Sequence, residues 1–486
     1  MKSTTRVLSL GVPVLLAAAA IPAARAEFLE ERTTRNLVPI QYGVGTTRLD
    51  GMGLRLAARD ENNEINLLDY GDNPAGLLTD KDAWSVDVRL SHRERVERNP
   101  ALSGFDFNGN TYSVLAGYRS SGIQAMAGGY DYVDSRIRQK DNSPTEYKDS
   151  QYRFLFNRMV RKFSFGFEFR YGDESEDLIN PGRIYFIEHT AKNYKGIVGL
   201  SYPIHEYVTV AGLGNLRRAS ITGEASSDAH LDTFDWSRPS GGLEGQLFVN
   251  HPRVQGGASI GKTKGAGEET VAIGWSPLFV FNPSNNFVRF DKRVFTEKRD
   301  QSTFRTRWDF ELVPDFATLS GSFNNESSDG EIRNIPTVVG SRSAISESFD
   351  ASELAVGAGL LMLDQRLFAG AELRRQEQTY EDKDPLTGYK QDLSINGFNF
   401  GFEYLVLENL ATRAGFGVRS EDRGDSRDPE ETSGGTGSHG ATTASFGLGL
   451  VPAGGILQLD AAYSADVSSG WDVDQNHFSL YARLLF

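Results

Sequence analysis

The chain has 486 residues, 39% hydrophobic and 24% charged, with 51 glycines and a formal net charge of −14. It has no cysteine, which excludes disulfides, thiolate metal sites, c-type haem attachment and a lipidated N-terminal cysteine. The acidic balance argues against nucleic acid as a partner. Beyond the first 26 residues no apolar run approaches the roughly 18 residues a membrane helix needs.

Residues 1–26 read as a secretory signal peptide. Lys2 and Arg6 form the charged start, Val7–Ala20 the apolar run, and Ala24-Arg25-Ala26 the small-residue cleavage pattern. The general secretory route is therefore expected. Removal leaves 460 residues. Because the segment carries three basic and no acidic side chains, the charge moves from −14 to −17. Residues 27–82 lack clean alternation and hold the acidic, amide-rich Asp60–Asn63 and the turn-rich Asp69–Gly76. They are expected to form a periplasmic or lumen-inserted N-terminal plug segment.

From residue 83 onward apolar side chains recur at every second position, the period of a strand with two unlike faces. Trp84, Val86, Val88 and Leu90 alternate with Ser85, Asp87, Arg89 and Ser91. Phe163, Phe165, Phe167, Phe169 and Tyr171 alternate with Ser164, Gly166, Glu168 and Arg170. The same rhythm marks Phe304–Val313, Phe398–Tyr404 and Leu457–Ser464. These runs reach nine or ten residues, the length of a tilted membrane strand, against roughly five or six in soluble sheets. The fold class is thus all-β: a transmembrane antiparallel β-barrel over 83–486. A closed barrel needs only half of each strand to be apolar and leaves no backbone edge in lipid.

Short turns are expected near Ser120–Gly122, Val160–Lys162, Pro203–Glu206, Asn250–Arg253, Val313–Asp315, Leu363–Gln365, Leu407–Asn409 and Val451–Gly454. They alternate with polar loops near Val96–Asn108, Ser135–Glu146, Gly172–Gly182, Ser220–Pro239, Ser327–Asp350, Glu381–Gly388, Asp422–Gly440 and Asp466–Asn476, as periplasmic turns and extracellular loops do. Glu268–Arg299 is ambiguous. Val271–Trp275 and Phe287–Val294 read either as two further strands, giving about 20, or not, giving about 18. Ser327–Asp350, the longest loop, carries Ile332, Ile335, Val338, Val339 and Ile345. It is expected to fold into the mouth as a gate, or else to pack on its neighbours at the rim.

Few motifs look chemical. Gly256–Thr263 matches the P-loop pattern letter for letter, but no helical period follows, and Val254, Gly256, Ala258 and Ile260 fit a strand face. His477 and Ser479 share a strand face beside Asn476, an arrangement that resembles the catalytic group of outer-membrane phospholipases. Here the pair falls on the polar face, whereas that chemistry faces lipid, so no catalytic residue is assigned. The seven histidines have no metal-ligand spacing, and Asp173–Asp177 and Asp422–Glu431 lack the ligand rhythm of a calcium loop. No metal or cofactor is expected.

The polar strand face supplies the candidate lumen-lining residues: Arg89, Arg153, Glu168, Arg170, Arg305, Arg307, Asp309, Glu311, Glu372, Arg374, Glu403, Arg413 and Arg483, with Asp87, Glu244 and Asp460 beside them. Charged walls can select solutes in a pore. They can also pair with one another and fill a closed barrel.

His477–Phe486, reading HFSLYARLLF, resembles the closing strand of bacterial outer-membrane β-barrels. The resemblance implies that Phe486 is the insertion signal read by the barrel-assembly machinery, and that the chain sits in the Gram-negative outer membrane among its lipid and lipopolysaccharide. Asn73-Pro74-Ala75-Gly76-Leu77 and the small-residue stretch Gly51–Ala58 resemble elements of long-chain fatty-acid outer-membrane transporters over about 30 residues. That family has 14 strands, so its binding residues do not transfer. The expected function is a channel for passive or selective uptake of small solutes, hydrophobic or anionic; the rival is a scaffold barrel in an export or surface complex.

Overall fold

The computed structural model describes residues 52, 54, 74–76, 83–97, 106–120, 123–138, 144–180, 185–227, 230–275, 289–337, 340–382, 389–426, 436–450, 457–467 and 473–485. The expected signal peptide at 1–26, most of 27–82, the turn expected at Val451–Gly454 and Phe486 lie outside them. Eighteen strands form one antiparallel sheet. The first nine are β1 (Ala83–Glu97), β2 (Asp106–Ser120), β3 (Gln124–Arg138), β4 (Pro144–Val160), β5 (Phe163–Asn180), β6 (Tyr185–His205), β7 (Val208–Ser227), β8 (His230–His251) and β9 (Val254–Trp275). The rest are β10 (Arg289–Val313), β11 (Ala317–Thr337), β12 (Gly340–Met362), β13 (Leu367–Asp382), β14 (Tyr389–Leu407), β15 (Leu410–Ser426), β16 (Thr436–Leu450), β17 (Leu457–Asp466) and β18 (Val473–Leu485). Every strand pairs with its neighbours in sequence, and β1 pairs with β18 from Ser85↔Leu485 to Glu97↔Val473. The ring closes without an edge.

Burial is inverted relative to a water-soluble protein. Leu243 is 76% exposed, Ile260 69% and Trp84 59%, whereas Asp87 and Glu168 are fully buried, as nearly are Glu372, Arg413, Asp460 and Arg483. A surface this apolar is stable only against hydrocarbon. Aromatic rows bound it. Tyr130, Tyr152, Tyr171 and Tyr194 lie in register across β3–β6, with ring centroids 5.0, 6.3 and 5.1 Å apart. Nearer the short turns, Trp84 meets Tyr118 at 4.8 Å and Phe163 meets Tyr202 at 4.7 Å. Eight residues separate Phe163 from Tyr171, about 20 Å once a strand rising roughly 3.3 Å per residue is tilted by about 40°. That matches the apolar band of an outer membrane.

One open reading is settled and one expectation is corrected. Val271–Trp275 continues β9, and Arg289–Val294 opens β10, which pairs with β9 from Arg289↔Trp275 to Phe310↔Val254. Among the described residues no extra hairpin forms there, and the count is 18. Ser327–Asp350 does not fold into the mouth: β11 and β12 stay paired from Ser327↔Asp350 out to Thr337↔Gly340. The stretch read as a loop at Ser220–Pro239 likewise begins and ends inside a ladder, through Ser227↔His230, and the one at Gly172–Gly182 begins inside a ladder that runs to Asn180↔Tyr185. The cause is the same in each case. Above the bilayer both strand faces meet water, so alternation disappears while the backbone ladder continues. Deleting Asn334–Ser343 should therefore leave single-channel conductance unchanged.

Candidate functional site: the lumen wall and its N-terminal segment

The inner face is organised around short ion pairs between strands. On β15, Arg413 donates from Nε to Glu403 Oε2 of β14 (2.6 Å) and from Nη1 to Asp460 Oδ1 of β17 (2.6 Å). To reach β17 the guanidinium must lie flat across β16. Gly449 permits this, since a Cβ there would stand 2.3 Å from Arg413 Nη2. Gly449→Ala should therefore destabilise the barrel, and in an Arg413→Met background it should cost much less. A double-mutant cycle on thermal unfolding in detergent reads that coupling. The β1–β18 seam carries a second cluster: Tyr481 Oη donates to Asp87 Oδ1 at 2.6 Å, and Arg483 Nε lies 3.7 Å from the same oxygen.

Elsewhere Arg153 pairs with Asp131 and Arg170 with Glu168. Arg374 Nη2 reaches Glu353 Oε2 at 2.7 Å, and Glu372 accepts from Asn399 Nδ2 at 2.9 Å. Asp309 accepts from Ser320 Oγ at 2.5 Å and lies 3.4 Å from Arg307. Glu311 accepts the amide of Asp315 at 3.0 Å and so braces the β10–β11 turn. Arg89 is half-buried on β1. Thus most of the charges picked from the sequence are tied to one another. Arg305 and Arg307 on β10 stand out as exposed. They border a cavity of about 810 Å³ whose other charged lining comes from Glu244, Asp309, Glu353, Glu372 and Arg374.

The opposite walls are occupied by the chain's own N-terminal segment. Pro74–Gly76 forms a 3-10 turn. Asn157 Nδ2 on β4 donates to Pro74 O at 2.7 Å, and Ser164 Oγ on β5 donates to Ala75 O at 2.8 Å. Gly166 lies directly beneath: a Cβ there would stand 2.2 Å from the Pro74 carbonyl carbon. Met52 and Leu54 pack on Phe368 of β13, and a Cβ on Gly401 of β14 would stand 2.1 Å from Met52 O. β5 and β14 are nine strands apart in a ring of 18, so the two docking points face each other across the lumen. Sequence patterning alone did not identify Asn157, Ser164, Gly166 or Gly401. The unusual signal is a glycine or small polar residue on the inner face where neighbouring strands carry charge.

The other motifs resolve into strand. Gly256–Thr263 lies wholly within β9, its backbone in ladders with β8 and β10. Ser479 is buried on the inner face. Among the described residues no cluster of three or more His, Asp or Glu side chains could hold a metal ion.

Outside the membrane band, Lys390 Nζ lies 2.8 Å from Asp392 Oδ2. The hydrogen bond and then the charge of Asp392 raise the lysine pKa. Burial alone would raise Asp392, but hydrogen bonds from Lys390 and Thr379 hold it below the ordinary carboxylate value. The stabilisation is present at neutral pH and fades as pH falls through that lowered value. Both side chains are about half exposed, so Lys390→Gln should shift the Asp392 titration upward by NMR and change stability by less than about 1 kcal/mol.

No family model and no curated protein matches the sequence. Among solved structures, the ferric-catecholate import receptor Fiu of E. coli K12 is similar over 86% of each chain, with 10% identity and a TM-score of 0.40. The monoaromatic hydrocarbon channel CymD is similar over 91% of this chain and 98% of its own, with 12% identity and a TM-score of 0.34. Likeness at this level does not identify a substrate. The closed ring, the inverted burial and the paired aromatic rows make this chain an outer-membrane β-barrel protein.

Proposed function

We propose that the protein is a selective channel that admits small solutes across the outer membrane along the β8–β13 wall, with the N-terminal segment as its resident constriction. The observation that carries this reading is the asymmetry of the lumen. One sector holds a cavity bordered by exposed Arg305 and Arg307; the walls around β5 and β14 hold Met52, Leu54 and Pro74–Gly76. The cavity's carboxylates are largely engaged, Glu353 with Arg374, Glu372 with Asn399 and Asp309 with Ser320. The two guanidinium groups are exposed, Arg307 while paired with Asp309 at 3.4 Å, and are the charges a passing solute meets first, which favours organic anions.

Planar-bilayer recording tests this. The wild-type channel should show anion preference in a salt gradient. Arg305→Gln/Arg307→Gln should move the reversal potential toward cation preference, with heat-modifiable migration checking that the barrel stays folded once Arg307 no longer pairs with Asp309. A lipid-ester hydrolase would instead need His477 and Ser479 on the outer face, and Ser479 is buried on the inner one. A scaffold barrel would conduct in none of these variants, and that result would overturn the proposal.

A further inference from the structure

The outer wall carries a groove of about 700 Å³ across β6–β9, lined among others by Val198, Leu200, Gly212, Gly214, Gly245 and Ile260. Its floor is glycine on adjacent strands: Gly212 pairs with Gly245, and Gly245 with Ile260. A Cβ on Gly245 would meet nothing within 4 Å. At one end stands Lys262, which also lines the groove.

The position of Lys262 along its strand is informative. It lies eight residues from the periplasmic start of β9, as Tyr171 does on β5 and Tyr152 on β4. Lys262 therefore falls within the span of the extracellular tyrosine row, whose members Tyr130 to Tyr194 lie six to eleven residues from the periplasmic ends of their strands. That row stops at Tyr194, whose register partner on β7 is Arg218. Arg218 and Lys262 are both exposed, and neither side chain has an ion-pair or hydrogen-bond partner among the described residues. Lys264, two residues further on, is held by Asp300 at 3.3 Å. In this sector the tyrosine row gives way to exposed cations with no partner among the described residues, above an apolar trough that descends into the bilayer. A cation facing lipid is costly unless an anion meets it.

We propose that this groove is a specific site for a phosphate-bearing acylated lipid of the outer leaflet. An acyl chain would lie over Gly212, Gly214 and Gly245, with the headgroup phosphate at Lys262 and Arg218. Both halves of the site are needed: the trough selects the chain and the cations select the phosphate.

Native mass spectrometry of the detergent-purified mature barrel, titrated with diphosphorylated lipid A, tests the site. Dephosphorylated lipid A and phosphatidylethanolamine serve as the comparison arms. Wild-type protein should retain the phosphorylated lipid at least about tenfold better than its dephosphorylated form, on the scale of one lost charge-assisted contact. Lys262→Gln should remove that preference, and Gly245→Leu, which fills open space, should lower retention of every acylated lipid. Arg375→Gln is the control, because Arg375 is exposed on β13, outside the groove, and paired with Glu377. Equal retention of the two lipid A forms by wild type would overturn the proposal, as would Lys262→Gln behaving like Arg375→Gln. The site does not depend on conduction, so a non-conducting barrel would leave this result standing.

Discussion

Gly401→Leu is expected to raise single-channel conductance about two- to fourfold, because an 18-strand ring encloses an aqueous-channel-sized lumen once nothing obstructs it. The position faces inward, and the clash is with Met52 backbone oxygen rather than with a side chain that could rotate away. Leucine there removes the seat of Met52 and Leu54 on β14. Gly166→Leu should act the same way at the opposite wall, where Pro74 and Ala75 backbone atoms lie within 2.5 Å of the added carbon. Asn157→Ala is the milder companion, deleting the hydrogen bond to Pro74 O and the one Asn157 Oδ1 accepts from Ser164 Oγ at 3.2 Å while leaving Gly166 open. It should increase the frequency of full-conductance openings without changing their size. Each variant is checked for heat-modifiable migration, which separates an unseated segment from an unfolded barrel. Unchanged conductance in a folded Gly401→Leu/Gly166→Leu protein would show that the N-terminal segment does not obstruct the path.

Arg413→Met should be the most destabilising single substitution on the inner wall. Arg413, Glu403 and Asp460 are all buried, so removing the guanidinium strands two carboxylates, at a cost of about 3–5 kcal/mol. The thermal midpoint of the detergent-solubilised barrel should fall accordingly. Neutralising the two partners in the same background, with Glu403→Gln and Asp460→Asn, should recover much of the loss, because the penalty arises from unpaired charge rather than from lost attraction. Failure of that rescue would mean that Arg413 acts through packing across Gly449 instead.

The barrel was legible because a bilayer imposes a strict period. Phe163 to Tyr171 and Phe398 to Tyr404 have one face in hydrocarbon, and no other arrangement tolerates it. The same reasoning failed wherever the chain leaves the bilayer. Between Ser327 and Asp350 the ladder continues with water on both faces, so composition reads as loop although the backbone is strand. The strand count was ambiguous for the same reason, since β9 and β10 extend to Trp275 and from Arg289. The inner-wall charges were visible as residues but not as pairs. Glu403↔Arg413 follows from register, whereas Arg413 to Asp460 spans two strands over a glycine and leaves no local trace. The N-terminal segment was the least legible part. Pro74-Ala75-Gly76 is an ordinary turn sequence, and only the inner-wall glycines and Asn157 reveal what it rests against.

The absence of cysteine makes the central claim directly measurable, because a single engineered thiol can be spin-labelled without background. Phe304 and Arg305 are adjacent on β10 and assigned to opposite faces, Phe304 paired with Ile260 on the outer wall and Arg305 on the cavity. In reconstituted membranes a nitroxide on Phe304→Cys should be relaxed by oxygen dissolved in the bilayer and shielded from an aqueous nickel chelate. The label on Arg305→Cys should show the reverse. If both labels answered to the aqueous agent, or if the two assignments were exchanged, the apolar stripe would not be the lipid-facing wall.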